Sequence, residues 1–157
     1  MQIDDDSAQV RFPPPFVYAG FLLIGLVIGR LLGKPSIGLD MVTASVAGML
    51  VVLTGFTVML AAIGLFRRRG NNLEPWKSAT LLVTDGIYRW TRNPMYLGMA
   101  LIFAGLALIL DSLAALMLLP IVVIVIDRTV IAREERYLEA KFGEDYRAYT
   151  AKVRRWL

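Results

Sequence analysis

The chain contains no cysteine and no histidine. It can therefore form no disulfide, offer no thiolate nucleophile, build no Cys/His metal site and use no imidazole as a base. Any chemistry it performs runs on carboxylates, arginine, lysine, tyrosine, amides or a borrowed cofactor. Charge is also missing from the interior of the first two long apolar runs. A proton or cation transporter needs an ionisable group inside the membrane, so that class is disfavoured. The opening residues are acidic (Asp4, Asp5, Asp6) and the first apolar run is long, so no cleavable signal peptide is expected. Nothing in the chain reads as a nucleic-acid module, and nucleic acid is not an expected partner.

What is present is apolar. Of 157 residues, 57% are hydrophobic, and the mean hydropathy is +0.59. An ordinary soluble domain is about half apolar, so the runs point to a polytopic membrane protein of one domain. The formal net charge is +4. Its positives cluster over 67–92 and after position 126, where they serve as a topology signal and as contacts for anionic membrane lipids.

Four spans are predicted, making the fold class all-α: a polytopic helical membrane protein. A tail over 1–15 precedes spans at about 16–32 and 39–66, and Pro13-Pro14-Pro15 delays the first helix. Gly25 and Gly29 form a small-xxx-small pair, and Gly48, Gly55 and Gly64 also invite close helix packing. A polar loop covers 67–93, with irregular or re-entrant structure expected over 78–85. A helical hairpin follows over 94–126, turning at Asp111-Ser112 and kinked at Pro120. The tail, 127–157, is helical to about 142, with Gly143 as the C′ residue and a second helix over 144–153. Trp156 reads as an interfacial anchor. An even span count puts both termini and the 67–93 loop on one side, the cytosolic one by the positive-inside tendency, with Arg30 and Lys34 opposite. The tail is expected to fold back over the bundle.

The stretch with the densest chemistry is Gly86-Ile87-Tyr88-Arg89-Trp90-Thr91-Arg92-Asn93-Pro94-Met95-Tyr96-Leu97-Gly98. Pro94 disfavours helix at Asn93 and suits the first turn of the helix that follows. Free N–H groups and the helix dipole then sit beside Arg92, Asn93 and Tyr96, a place to hold a carboxylate. In the tail, Ile131, Leu138 and Phe142 share one helical face, with Glu134 and Glu135 flanking it.

Together these segments resemble the isoprenylcysteine carboxyl methyltransferases and the related phospholipid methyltransferases. The resemblance runs from Leu81 to Trp156: Arg92-Asn93-Pro94-Met95-Tyr96-Leu97-Gly98, an apolar hairpin, Glu134-Glu135, then Phe142-Gly143-Glu144-Asp145-Tyr146 and Tyr149. It implies an integral membrane enzyme that uses S-adenosyl-L-methionine, bound between loop, hairpin and tail. Carried over by position, the cofactor contacts are Tyr88, Asn93, Pro94, Met95, Tyr96 and Glu134, with Thr80, Leu81, Leu82 and Val83 as backbone. Arg92 and Glu135 complete the set. Asn93 stands where the family usually has His; it keeps a donor and an acceptor but carries no charge. Val130 stands where the eukaryotic enzymes place an Arg for the substrate carboxylate, and Arg128 is the nearest replacement. The candidate catalytic residues are thus Arg128 and Glu134.

The residues suit methyl transfer chemically. Arg92 and the Pro94 helix start match a carboxylate, Glu134 accepts from ribose hydroxyls or an ammonium, and Tyr88 and Tyr96 offer aromatic faces to adenine or a sulfonium. The expected function is S-adenosylmethionine-dependent methylation of a lipophilic or membrane-borne acceptor, isoprenylcysteine carboxyl methyltransferase-like, entering from lipid. Phospholipid-amine N-methylation is the alternative acceptor chemistry. A non-catalytic scaffold or small transporter is the other class; it predicts no cofactor affinity and no enclosed polar pocket. The expected setting is multi-pass in the inner membrane of a bacterial or archaeal cell. The sequence leaves the acceptor and the oligomeric state open.

Overall fold

A computed structural model describes residues 6–8, 12–70 and 77–157, and among them the chain is helical with no strand. Parts of the expected 1–15 tail and of the 67–93 loop fall outside the described residues. Helix α1 is Pro14–Leu31. It starts two residues before the expected 16, because Pro14 and Pro15 occupy the first turn, where a missing N–H costs no hydrogen bond. Helix α2 is Met41–Arg68, opened by Asp40, whose carboxylate accepts from the N–H groups of Val42 and Thr43 at 3.1 and 3.0 Å. Its 28 residues are about 42 Å long, well beyond the roughly 30 Å of bilayer hydrocarbon.

Helix α3 is Pro94–Ile109 and α4 is Leu113–Ile126. Ser112 caps α4 by accepting from Ala115 N–H at 3.3 Å. The helix continues on both sides of Pro120. A π-helical segment, Asp127–Ile131, joins α4 directly to α5, Ala132–Thr150. Among the described residues, three helices are long and apolar enough to cross a membrane: α1, α2 and the continuous Leu113–Thr150; α3 is apolar but shorter. Large apolar side chains point outward on α1, α2 and α4, among them Leu23, Val27, Leu50, Phe56, Met117 and Ile124. That is the pattern of a surface solvated by lipid.

Helices α3 and α4 form the expected 94–126 hairpin, but α3 packs chiefly on α2. Glycines explain the pairing. Gly48 faces Gly105 and Gly55 faces Gly98, so close that a Cβ on either Gly48 or Gly55 would lie 2.7 Å from the opposing carbonyl oxygen. Seven residues separate the glycines on each helix, and the order is reversed, as an antiparallel seam with heptad spacing requires. Without a hydrophobic drive between helices in lipid, this backbone approach supplies the attraction. Helix α4 packs instead on α1, where Gly25 meets Ala115. Gly64 takes no part: a Cβ there would reach nothing closer than Arg68 at 3.9 Å.

At the end remote from the tail, Asp111 ties the two interhelical turns together. Its carboxylate accepts from Ile37 N–H at 2.8 Å and from the Ser36 hydroxyl at 3.1 Å. At the other end, α5 is broken at Gly143, where φ is 51° and ψ −118°. Glycine takes this conformation without a Cβ penalty, and the turn brings Tyr146 and Tyr149 back against the 77–93 loop. The regular helix ends at Thr150, short of the expected 153.

Candidate functional site

The loop that follows α2 has no regular structure from 77 to 85. One of its anchors is Ala79, whose N–H donates to the Tyr137 hydroxyl at 2.9 Å. A 3-10 turn, Gly86–Arg89, then carries Tyr88 inward. Its ring packs on Phe66, centroids 5.3 Å apart, and its carbonyl accepts from the Tyr149 hydroxyl at 2.8 Å. Two apolar clusters result. One, inside the helical bundle, includes Tyr18, Tyr96, Phe103, Ile126, Val130 and Ile131. The other, at the mouth, includes Val83, Tyr88, Tyr146 and Tyr149. The apolar stripe read from the tail divides between them: Ile131 joins the first, and Leu138 and Phe142 pack on the second.

A cavity of about 120 Å³ opens between the clusters. Every candidate residue named from the sequence lines it except Thr80 and Arg128. The Thr80 hydroxyl donates to the Gly70 carbonyl at 3.2 Å. Arg128 lies outside the cavity lining, its side chain 81% exposed and 3.8 Å from Asp127. Val130 is buried in the bundle core. Residues at the cavity that the sequence did not point to include Ala8, Phe66 and Tyr137. Tyr137 had a signal, lying one helical turn beyond Glu134; Ala8 had none.

The cavity's polar wall is built by α3 and α5. The Tyr96 hydroxyl donates to Glu134 Oε1 at 2.6 Å, while the Tyr96 carbonyl accepts from the Tyr18 hydroxyl at 3.2 Å. Glu134 keeps part of its surface open to the cavity, yet protein surrounds it closely. Burial pushes its carboxyl up to about 7; the Tyr96 hydrogen bond opposes the rise and neighbouring Glu135 adds to it. Burial likewise raises the Tyr88, Tyr146 and Tyr149 hydroxyls above their ordinary value, so all three stay protonated donors. Asn93 forms no side-chain cap on α3. Its amide instead donates to the Arg155 carbonyl at 3.0 Å. The Met95 and Tyr96 N–H groups in the first turn of α3 have no carbonyl partner within the helix, Leu97 being the first to reach one, that of Asn93 at 3.0 Å.

Glu135 differs from its neighbour. It is held by Arg92 at 3.2 Å and by Arg155, whose Nε lies 3.1 Å away and whose Nη2 touches the second carboxylate oxygen. Arg155 also reaches Asp127 at 3.0 Å. Trp156, read from the sequence as an interfacial anchor, donates to Asp127 at 3.1 Å and packs on the bundle core. Two buried side-chain atoms are left without a hydrogen-bond partner among the described residues: the Tyr88 hydroxyl and Arg92 Nε. Both side chains line the cavity.

Comparison with known proteins adds a lineage to this geometry. A family model described as phospholipid methyltransferase matches residues 43–145, from α2 through Glu134-Glu135. Over 63 residues the chain is 49% identical to an uncharacterized protein of Haemophilus influenzae, covering 40% of this chain and 100% of that one. Over 73 residues it is 37% identical to the protein-S-isoprenylcysteine O-methyltransferase of Schizosaccharomyces pombe. That match covers 46% of this chain and 31% of the yeast enzyme's length. No solved structure matches.

Proposed function

The chain belongs to the phospholipid methyltransferase family, and we propose that it moves a methyl group from S-adenosylmethionine to a lipophilic, membrane-borne acceptor. One observation carries the reading: Tyr88 and Arg92, each with a buried polar atom that lacks a partner among the described residues, line the same cavity as the Tyr96–Glu134 pair. Buried polar groups are normally satisfied. Two such atoms on side chains that line one cavity support a polar ligand there.

The residues fit this cofactor. Arg92 and the uncapped first turn of α3 suit its carboxylate. Glu134 accepts from the ribose hydroxyls or the ammonium, and the rings of Tyr88 and Tyr96 suit a cationic or flat aromatic group. When bound, the cofactor would supply a sulfonium methyl for an acceptor lone pair and would leave as the thioether. The chain's contribution is position and dryness. Tyr96 fixes Glu134, Tyr149 fixes the Tyr88 backbone, and the folded-back tail covers the mouth. The basic loop and tail share this end, which by the positive-inside tendency is cytosolic in our reading.

Calorimetry of the detergent-purified protein with S-adenosylhomocysteine tests the proposal. Binding is expected, and Tyr96→Ala or Glu134→Ala should weaken it by about 1–3 kcal/mol. Unchanged affinity in both variants would sink the site; no binding by the wild type would favour a scaffold or transporter. A lipid amine as acceptor is a second reading, favoured by the positions of Val130, buried in apolar core, and Arg128, outside the cavity. Neither offers a cation to a prenylcysteine carboxylate.

A further inference from the structure

The segment after α5 folds over the residues that start α3. Arg92 N–H donates to the Arg154 carbonyl at 3.0 Å. The Arg155 carbonyl accepts from the Thr91 hydroxyl at 3.1 Å and from the Asn93 amide at 3.0 Å. The Arg155 side chain then runs between Asp127 of the π segment and Glu135 of α5. Arg155 does not line the cavity. Glu135 therefore has two cations, and they hold it unequally. Arg155 grips it through Nε and Nη2, a fork geometry, whereas Arg92 makes one contact at 3.2 Å and keeps its buried Nε unpartnered.

We propose that Arg155 is a positioning residue: it neutralises Glu135 from behind the site and so frees Arg92 for the carboxylate of the bound nucleoside ligand. The inference rests on the cofactor reading above. Charge balance is its basis. With Arg155 present, Glu135 is shared by Arg92 and Arg155, and Asp127 is held by Arg155 with Arg128 3.8 Å away. Without Arg155, Glu135 would have Arg92 as its one remaining ion-pair partner among the described residues, and Arg92 would be drawn wholly onto it. In a partly buried site such an imbalance is poorly screened.

Two ligands separate this role from a merely structural one. S-adenosylhomocysteine carries the amino-acid group; 5′-methylthioadenosine has the same nucleoside and a thioether but no carboxylate. Calorimetry should find that Arg155→Gln weakens the first about tenfold or more and the second by no more than about twofold, the loss being one charge-assisted interaction. Arg155→Lys keeps the charge but not the fork, and should fall between. Equal loss for both ligands, or loss for neither, overturns the inference. If Arg155→Gln does not fold, an unchanged ratio of the two affinities in Arg155→Lys overturns it. Failure of the wild type to bind S-adenosylhomocysteine strikes the cofactor reading instead.

Discussion

Glu134 makes the site's ligand affinity a function of pH, in a direction fixed by its surroundings. Burial raises its carboxyl to about 7. A ligand ammonium or ribose hydroxyl donates to the ionised form, so only the deprotonated protein is competent to receive it. Apparent affinity scales with the competent fraction. A group titrating near 7 is about one-tenth ionised at pH 6 and about nine-tenths at pH 8. S-adenosylhomocysteine affinity should therefore rise about tenfold over that interval. Calorimetry at half-unit steps in one detergent and at constant ionic strength reads it directly. Glu134→Gln should flatten the profile. Tyr96→Phe removes the hydroxyl that favours the ionised form, so its rise should move to higher pH. A flat or falling wild-type profile refutes the reasoning, as does a slope that survives in Glu134→Gln. Without ligand the sign for stability is opposite. The folded state holds this proton more tightly than the unfolded chain does, so the stabilisation is complete below about 4.5 and is lost as pH rises through about 7. The melting temperature of the empty protein should fall between pH 5 and 8, less so in Glu134→Gln.

The glycine seam gives a stability test: Gly55→Val or Gly105→Val drives a side chain into opposing backbone and should cost about 1–3 kcal/mol or more in detergent unfolding. Gly20→Ala, with nothing within 4 Å of the added Cβ, should be neutral or stabilising by up to about 1 kcal/mol. Reporters fused after Leu157 and inserted near Gly70 should both read cytosolic; opposite sides would mean an odd number of spans between them. On a prenylated cysteine analogue the wild type should be a poor methyltransferase, and Val130→Arg, which puts a charge into the apolar core, should destabilise the protein without rescuing activity. Robust wild-type activity unaffected by Arg128→Ala would refute the argument drawn from the missing arginine.

The spans and the site were unequally legible. Helix starts at Pro94 and Leu113, the turn at Asp111-Ser112 and the break at Gly143 all follow from local rules about proline, capping and positive φ, and each stands in the sequence. The motif residues could be grouped because sidedness folds the tail toward the loop. Partner choice was harder. Nothing in the spacing of Gly98 and Gly105 says that they face Gly55 and Gly48 rather than α4, because any small-residue stripe admits any close partner. Arg155 was invisible for another reason. Its carbonyl and its guanidinium both act, and main-chain hydrogen bonds leave no trace in residue type.

The π segment is where helical periodicity misleads. Ile126 and Ile131 are both fully buried in the same cluster, yet five residues of α-helix would set them about 140° apart. Hydrogen bonding from i to i+5 widens the turn and brings them toward one face. The wide turn absorbs one extra residue, so the helix before it and the helix after it keep a face in common. Val130 is thereby turned into the bundle, Asp127 toward Arg155 and Trp156, and Glu134 and Glu135 keep the register of α5 at the mouth. One continuous helix thus serves two surfaces that a regular α-helix would set out of phase: the lipid-embedded packing on α1, and the polar wall under α3. Deleting Thr129 takes out the residue that the wide turn absorbs and should restore a plain α-helix with Glu134 still facing Tyr96, so S-adenosylhomocysteine binding should survive. Inserting a second residue after Thr129 exceeds what one wide turn absorbs; it should rotate Glu134 about 100° from Tyr96 and abolish binding while helix content by circular dichroism stays nearly constant. Lost binding in the deletion, or retained binding in the insertion, would refute the reading.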